Sequence, residues 1–329
     1  MAFRWSRYSR DLCARCGHDD RVPSVSAFAL DSLRALALGD GFGERWFHRG
    51  DRETIEMIKA RQLPSESPWH WTDDTAMALT IVRMLHLHGE IRQDGLAGMF
   101  GATYLADPYR GYGYGMTVLL PRLAEDPGLW DVHARALFEG QGSLGNGAAM
   151  RAAPLGAWFW HDLGTVREQA HLAAEVTHAH REGIDGAVAV AVAAAMAAAS
   201  RGAPSPDPRS FLEHAAGAVP GPVGDGIARA ASLQPGTPTW KAADLLGNGQ
   251  RVRASDTVPF ALWSAAHHLD DLPGALWTTA EGLGDVDTTC AITAGIVAAR
   301  SGLADPRPGR PRGSFGSPYV LAGAVLRPP

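Results

Sequence analysis

The feature that most constrains the fold of this chain is a run of small apolar residues from Gly183 to Ser200, made mostly of alanine and valine. Alanine has the highest intrinsic helix propensity, and the run is too long for an ordinary strand, so we expect a helix. A helix that is apolar on all sides is buried in a core or in a membrane. Because the run contains Asp185 and alanine is a weak membrane residue, we predict the buried central helix of a soluble protein.

Other segments repeat the helical period of apolar residues, notably Val166 to His180 and Val258 to Leu269. A third helical stripe begins near Leu30 and ends at the glycine-rich segment 39–44. Segments rich in glycine and proline separate the apolar stretches, and strand-like runs are few. The pattern predicts one all-α domain over residues 27–300.

Composition is that of an ordinary soluble globular protein, with 46% hydrophobic and 20% charged residues among 329. A net charge of −5 argues against a broad nucleic-acid surface. Three cysteines make no disulfide framework, and the N-terminal segment lacks the apolar stretch of a signal peptide, so we expect a cytoplasmic protein that meets no membrane.

Both ends of the chain lack the helical pattern of the middle. Residues 1–26 predict a flexible extension, and residues 301–329 form an atypical tail rich in glycine, proline and arginine. Cys13, Cys16 and His18 resemble half of a zinc site, but no second ligand pair follows them. A closed four-ligand zinc site is therefore not expected.

Two acidic segments precede helical apolar runs. The first is Thr72-Asp73-Asp74-Thr75 and the second is Asp285-Val286-Asp287-Thr288-Thr289. Taken alone, the first segment favours helix capping, since threonine and aspartate oxygens accept the unpaired N–H groups of a first turn.

The alternative to capping is a metal site. Carboxylate and hydroxyl oxygens are the ligands that Mg²⁺, Mn²⁺ and Ca²⁺ prefer. If the two segments converge, each close carboxylate pair costs about 4 kcal/mol at ~4 Å and an effective dielectric of ~20. A divalent cation would compensate that repulsion, whereas caps alone would not.

Two glycine-rich loops complete the pattern of candidate site residues. Segment 110–115 alternates glycine and tyrosine, which suits phosphate contact and base stacking as well as an ordinary surface loop. Segment 140–147 precedes a helical run, where backbone amides bind anions. Arg151 after it suits a phosphate contact or a tie between loops. His178 and His180 suit either a cap or a site.

Taken in order, these motifs resemble the ADP-ribosylglycohydrolase family over about residues 27 to 300. The matching pieces are Gly39-Asp40-x-x-Gly43, Trp71-Thr72-Asp73-Asp74-Thr75, Gly145-Asn146-Gly147-Ala148-Ala149-Met150-Arg151, Thr177-His178 and Gly284-Asp285-x-Asp287-Thr288. Each piece is weak alone, and together they are specific.

The resemblance implies a compact orthogonal helical fold with two Mg²⁺ or Mn²⁺ ions at the bottom of a cleft. It implies that the metal ligands are Thr72, Asp73, Asp74, Asp285, Asp287 and Thr288. It implies that ADP-ribose is held by Gly111, Gly113, Gly115, Ser143, Gly145, Asn146, Gly147 and His178. The implied activity is hydrolysis of a ribosyl bond that releases ADP-ribose from a protein side chain, a nucleobase or a small molecule, so that nucleic acid is a partner only as a modified substrate.

The chain departs from the family pattern at Phe47, where many members have a glutamate implicated in catalysis. Cleavage of a ribosyl bond needs a proton for the leaving group or a base for water. The candidates for this acid–base work are Asp73, Asp74, Asp287 and the nearby Glu44. Two other hypotheses are a weakened relative that only binds ADP-ribose and a metal phosphohydrolase, although no phosphatase signature stands out.

Overall fold

The computed structural model describes residues 26–47, 51–64 and 69–303. These residues form fifteen α-helices and two short 3₁₀ turns, and they contain no β-strand. The helices are α1 (Ala27–Gly43), α2 (Arg52–Lys59), α3 (Asp73–His88), α4 (Gln93–Ala106), α5 (Tyr114–Glu125), α6 (Trp130–Gly140), α7 (Ala153–Trp158), α8 (Leu163–Glu175), α9 (Arg181–Ala199), α10 (Pro208–Ala216), α11 (Gly221–Ser232), α12 (Thr239–Leu246), α13 (Ala254–His267), α14 (Leu272–Ala280) and α15 (Val286–Ser301). The all-α fold predicted from the sequence is confirmed.

Helix α9 is the central helix that the alanine-rich run predicts. It packs against α7, α8, α13 and α15, and nearly all of its side chains are buried. By length and composition α9 could cross a membrane, but 89% of its apolar window lies inside the protein. Small side chains on α9 let its neighbours approach closely, as at Gly156 of α7, whose Cα lies against the Ala191 carbonyl. The run therefore serves as the core helix of the fold.

Helices α1 and α15 pack along each other and bring distant parts of the chain together. Gly39 and Gly43 lie at this contact, where a Cβ on Gly43 would come 2.4 Å from Asp287 Cα and the Val286 carbonyl oxygen. The first helix was expected to end in the glycine-rich segment 39–44, and it does end there, at Gly43. Gly39 and Gly43 let the two helix backbones approach closely, as expected of glycines in this segment.

An aromatic cluster lies beneath the contact between α1 and α15. Phe42 packs edge-on against Trp277 with ring centroids 5.0 Å apart, and it also contacts Trp46 and Trp69. Buried aromatic rings of this size contribute heavily to core stability. The cluster thus supports the two helix ends that carry the acidic segments.

Helix α8 is shorter than its sequence pattern predicts. It ends at Glu175 rather than near His180, because the His180 side chain accepts a hydrogen bond from the Glu182 N–H at 3.1 Å and caps α9. His178 therefore lies in the connection between α8 and α9. The expected N-terminal extension, with Cys13 and Cys16, and most of the expected C-terminal tail lie outside the described residues.

Candidate active site

A cavity of about 1070 Å³ opens where the N-termini of α3 and α15 meet the loops before α5 and after α6. Its wall contains every residue that the sequence analysis assigned to metal, substrate or catalysis. These residues are Glu44, Thr72, Asp73, Asp74, Gly111, Gly113, Gly115, Ser143, Gly145, Asn146, Gly147, His178, Asp285, Asp287 and Thr288. The two acidic segments therefore converge, while the role of each residue stays a prediction.

The first acidic segment begins α3. Thr72 caps the helix, since its Oγ1 accepts a hydrogen bond from the Asp74 N–H at 3.3 Å. The Asp73 N–H donates to the Arg110 carbonyl at 2.8 Å, which fixes the segment against the neighbouring loop. Capping accounts for Thr72. It does not account for the burial of two adjacent carboxylates, Asp73 and Asp74.

Asp40 of α1 holds the first acidic segment from below. Its carboxylate accepts hydrogen bonds from the Thr72 N–H at 2.9 Å and the Thr75 N–H at 3.1 Å. It also accepts from the Thr72 hydroxyl at 2.9 Å and the Thr75 hydroxyl at 2.5 Å. Burial, with the charge of Asp287, raises the pKa of Asp40 to about 7 despite these donors. One completely buried carboxyl group thus orients the start of α3.

The second acidic segment begins α15. Asn146 Nδ2 donates to Asp285 Oδ2 at 2.5 Å and to Thr257 Oγ1 at 3.0 Å, and the Asp285 N–H donates to the Asn248 carbonyl at 3.0 Å. Asn146 was predicted to bind substrate, but its amide nitrogen is engaged with a predicted metal ligand. The loop that carries Asn146 therefore positions the second acidic segment.

Burial and mutual repulsion dominate the electrostatics of the cavity floor. Burial raises the pKa of Asp73 to about 8, and the charges of Asp40 and Asp287 add to the effect. Burial, with the charges of Asp40 and Asp287, raises the pKa of Asp74 well above its usual range, and burial with the charge of Asp287 does the same for Asp285. A carboxylate cluster of this kind is stabilised either by protons or by a cation.

The donor chemistry of the floor fits a hard divalent cation. All of the predicted ligands offer oxygen, and Asp74 Oδ1 is buried without a hydrogen-bond donor among the described residues. Within the same part of the chain, no three His, Cys, Asp or Glu side chains already form a ready-made metal site. Side-chain rotation onto the ion would be needed to complete the coordination.

Glu44 lies at the edge of this cluster, at the C-terminus of α1, where its N–H donates to the Asp40 carbonyl at 2.9 Å. Burial, with the charge of Asp287, raises the pKa of Glu44 to about 7, although Arg45 opposes the shift. Phe47 contacts the same cavity. A half-buried carboxyl group that titrates near neutrality is therefore present although position 47 carries no acid.

Contacts of Arg110 anchor the loop before α5. The Arg110 guanidinium lies 3.5 Å from the centroid of the Trp71 ring, donates to the Trp71 carbonyl at 3.0 Å and pairs with Asp107 at 2.8 Å. Gly111 has a positive φ of 84°, which only glycine adopts easily. Gly115 lies inside α5, which begins at Tyr114. The glycines thus form one fixed wall of the cavity.

The loop from Ser143 to Gly147 forms another part of the cavity wall. It pairs with the segment that leads into α13, since the Asn146 N–H donates to the Val252 carbonyl at 3.3 Å and the Ala254 N–H donates to the Leu144 carbonyl at 3.1 Å. The backbone N–H of Asn146 is therefore already bonded within the protein. Fewer backbone N–H groups are left to bind an anion than the sequence pattern suggests.

Arg151 lies behind this loop and outside the cavity wall. It is buried, and its Nη2 donates to Thr177 Oγ1 at 2.7 Å and to the Ala173 carbonyl at 3.2 Å. Its guanidinium also lies 4.5 Å from the centroid of the Phe100 ring. Of the two roles left open by the sequence, the tie between structural elements is the one that this geometry supports.

Sequence reasoning missed the roles of Asp40, Thr75 and Arg110. Asp40 belongs to a quoted motif, but no function was assigned to it. The signal was available, because an aspartate inside an otherwise apolar helical stripe must find partners when it is buried. For Arg110 there was no such signal, since its contacts join segments that only the fold brings together.

An all-α protein in which two acidic helix N-termini meet in one cavity is the class that the fold and the site define. Residues 23–307 match the model of the ADP-ribosylglycohydrolase family, so the chain belongs to that family. The resemblance drawn from the motifs is confirmed.

Curated relatives carry the name ADP-ribosylhydrolase ARH3. The chain is 39% identical to the Homo sapiens protein over 121 residues, which cover 36% of this chain and 33% of that protein. It is 34% identical to the Bos taurus protein over 188 residues, which cover 53% and 50% respectively. The matched segments therefore span only a third to a half of these relatives.

A solved structure described as an ADP-ribosylglycohydrolase-related protein complex is similar over nearly the whole chain. The TM-score is 0.56 at 23% sequence identity, and the superposition covers 91% of this chain and 96% of that one. At this identity the likeness shows a shared fold. The compact helical architecture expected from the motifs is thereby confirmed.

Proposed function

We propose that the protein is a metal-dependent hydrolase that cleaves the ribosyl bond of an ADP-ribosylated side chain, nucleobase or small molecule and releases ADP-ribose. The observation that carries the proposal is the convergence of two carboxylate segments in one cavity walled by glycine-rich loops. The cavity, at about 1070 Å³, matches the upper size of ligand pockets and suits a ligand as large as ADP-ribose. Membership of the family supports the reaction class.

Two Mg²⁺ or Mn²⁺ ions are the proposed cofactors. Their ligands would be Thr72, Asp73, Asp74, Asp285, Asp287 and Thr288. When bound, such ions lower the pKa of a coordinated water and orient substrate hydroxyls. The buried Asp74 Oδ1 without a donor and the raised pKa values of this cluster support a cation here.

The remaining steps belong to the side chains of this protein. Glu44 and the aspartates of the floor move protons between water and the leaving group, and the pKa of Glu44, about 7, suits it to exchange them at neutral pH. The walls around Gly111 and Gly145, together with His178, hold the diphosphate and adenosine. The comparisons give no support to a weakened relative that only binds ADP-ribose. Glu44, which lines the cavity as Phe47 does, offers a carboxyl group for the acid–base work.

The experiment that tests the proposal is release of ADP-ribose from arginine-linked, serine-linked and nucleic-acid-linked substrates, with Mg²⁺ and with EDTA. We expect release of intact ADP-ribose from at least one substrate and loss of that release in EDTA. Release of AMP or phosphate instead would indicate a phosphohydrolase. Absence of release from all three substrates, with tight ADP-ribose binding, would contradict the hydrolase.

Variants of the cavity floor sharpen this test. We expect Asp73→Ala combined with Asp287→Ala to abolish release at saturating Mg²⁺. We expect Glu44→Gln to lower kcat by about 10²-fold or more, the size of a lost acid–base group. Asp244→Asn, which changes an exposed carboxylate of α12, is the control and should leave release unchanged. Full activity of the double variant would refute the proposed metal centre.

A further inference from the structure

A short hydrogen-bonded relay runs from the protein core to the cavity wall. Arg151 Nη2 lies 2.7 Å from Thr177 Oγ1, and Thr177 Oγ1 lies 2.8 Å from His178 Nδ1. All three residues are buried, at 1%, 0% and 3% exposure. Of the three, only His178 contacts the cavity. The relay therefore ends on a side chain that lines the cavity.

The direction of each hydrogen bond follows from the chemistry of the groups. Arginine has only donors, so Arg151 donates and Thr177 Oγ1 accepts. The Thr177 hydroxyl then has one hydrogen, which is directed either to His178 Nδ1 at 2.8 Å or to the Ala174 carbonyl at 3.5 Å. The shorter distance is normal for a hydroxyl donor, and the longer one lies outside the usual range. Thr177 therefore donates to Nδ1.

A donor at Nδ1 decides which nitrogen carries the ring hydrogen. Burial, together with the charge of Arg151, lowers the pKa of His178 to about 3, so the ring is neutral at physiological pH. A neutral imidazole that accepts at Nδ1 carries its hydrogen on Nε2. The Nε2 edge lies beside the cavity loop, since a Cβ on Gly147 would come 3.1 Å from it.

We propose that Arg151 and Thr177 are positioning residues that fix His178 as the tautomer with hydrogen on Nε2, ready to donate to a ligand oxygen in the cavity. The identity of that ligand, the ADP-ribose part of the substrate, rests on the proposed function. The tautomer itself does not, because it follows from contacts within the protein. Glycines on either side of the ring, Gly147 and Gly183, leave the imidazole room to lie in this orientation.

The test is a ¹H–¹⁵N spectrum of histidine side chains in the ligand-free protein at pH 7.5. The two ring nitrogens of a neutral histidine have well-separated ¹⁵N shifts that reveal which one carries hydrogen. His178 is assigned from the signals missing in His178→Gln. We expect it to show hydrogen on Nε2.

The same spectrum contains internal references of the opposite kind. His267 Nδ1 lies 2.8 Å from the Trp263 carbonyl, and His214 Nδ1 lies 2.7 Å from the Ser210 carbonyl. Because a carbonyl only accepts, these two rings carry hydrogen on Nδ1 when they are neutral. Finding His178 with the same pattern as His267 would overturn the proposal.

A matched pair of variants tests the relay. Thr177→Val removes the hydroxyl at nearly constant shape, whereas Thr177→Ser keeps it. We expect Thr177→Val to lose the pure Nε2–H pattern and to bind ADP-ribose about tenfold more weakly in calorimetry, the size of one lost hydrogen bond to a charged group. Thr177→Ser should keep both properties. An unchanged tautomer and unchanged binding in Thr177→Val would refute the relay.

Each variant must be shown to be folded, and the wild-type protein separates a failure of the tautomer from a failure of the proposed ligand. An unchanged His267 pattern shows that a variant is folded; if Thr177→Val does not fold, the wild-type spectrum and Thr177→Ser still decide the tautomer. A wild-type protein with hydrogen on Nε2 that binds no ADP-ribose would overturn the proposed ligand while supporting the positioning of His178. The two failures are therefore distinguishable.

Discussion

At the scale of single residues, the site depends on buried groups that never line the cavity. Asp40 accepts four donors from Thr72 and Thr75 and is itself completely buried. A hydrogen bond to a charged group contributes about 1.5–3 kcal/mol, and a neutral one contributes about 1 kcal/mol. The bonds to Asp40 are thus the part of the site where a small change should cost most.

Thr75→Val should reveal the contribution of Asp40. The variant removes the hydroxyl that donates to Asp40 Oδ2 at 2.5 Å while keeping the shape of the side chain. At pH 8, above the Asp40 pKa of about 7, we expect a loss of about 1.5–3 kcal/mol in the free energy of unfolding. Urea denaturation measures the loss.

Thr80→Val is the matched control on the same helix. The Thr80 hydroxyl is buried as well but donates to the neutral Ala76 carbonyl at 2.9 Å. We expect Thr80→Val to cost only about 1 kcal/mol. Equal losses in the two variants would show that the Asp40 carboxylate adds nothing beyond an ordinary hydrogen bond.

His178 gives a prediction about pH. Its pKa falls from the usual 6.5 to about 3 on folding because of burial and the charge of Arg151. Between these two pKa values the unfolded chain binds a proton at His178 that the folded protein does not. The stability that neutral His178 contributes is therefore fully present above pH 6.5 and decreases as the pH falls. The loss approaches about 1.4 kcal/mol per pH unit.

The comparison with His178→Gln isolates this contribution from that of the acidic cluster. Urea denaturation at pH 8, 6.5 and 5 gives the free energy of unfolding of both proteins. We expect the advantage of the wild type over the variant to shrink toward pH 5. A difference that stays constant over this range would contradict the lowered pKa of His178.

At the scale of secondary-structure elements, the site depends on how closely α1 and α15 approach. Gly43→Ala would place a Cβ 2.4 Å from Asp287 Cα, and backbone atoms cannot rotate away as a side chain can. We expect a loss of about 1–3 kcal/mol in stability and a displaced second acidic segment. Thermal unfolding checks the first effect, and ADP-ribose release checks the second.

Gly98→Ala is the control for this prediction. Gly98 lies inside α4, and a Cβ there would make ordinary contacts of 3.5 Å and 3.6 Å with Pro127. We expect this variant to be neutral or stabilised by up to about 1 kcal/mol, because alanine is the better helix former. A Gly43→Ala protein with wild-type stability and wild-type ADP-ribose release would contradict the prediction, because it would show that the site tolerates a shift of α15.

The helices themselves were largely predictable from their own residues. Helices α3, α9 and α15 follow from apolar periodicity, small side chains and an acidic N-terminus. The predicted end of α8 was wrong because capping of α9 by His180 decides it, and the close packing of α15 against Gly43 was not visible in the local pattern. Local pattern carries no information about a partner helix that lies far away in sequence.

At the scale of the whole molecule, the candidate site follows from two acidic segments that no local rule brings together. The sequence identified both segments and the glycine-rich loops, and the fold places all of them around one cavity. The sequence alone could not show that Asn146 holds Asp285 or that Arg110 fixes the loop beside Asp73. Such contacts depend on tertiary structure. The types of residue in the site were therefore predictable from the sequence, but the contacts that position them were not.

We propose that the converged carboxylate segments form one metal-dependent hydrolytic centre. The most direct measurement titrates Mn²⁺ into metal-free protein while recording both bound metal and ADP-ribose release. We predict no release without metal, release that rises with bound Mn²⁺, and saturation at two ions per chain, as the family resemblance implies. Release at the full rate from metal-free protein, or Mn²⁺ binding that Asp287→Asn leaves unchanged, would contradict the account.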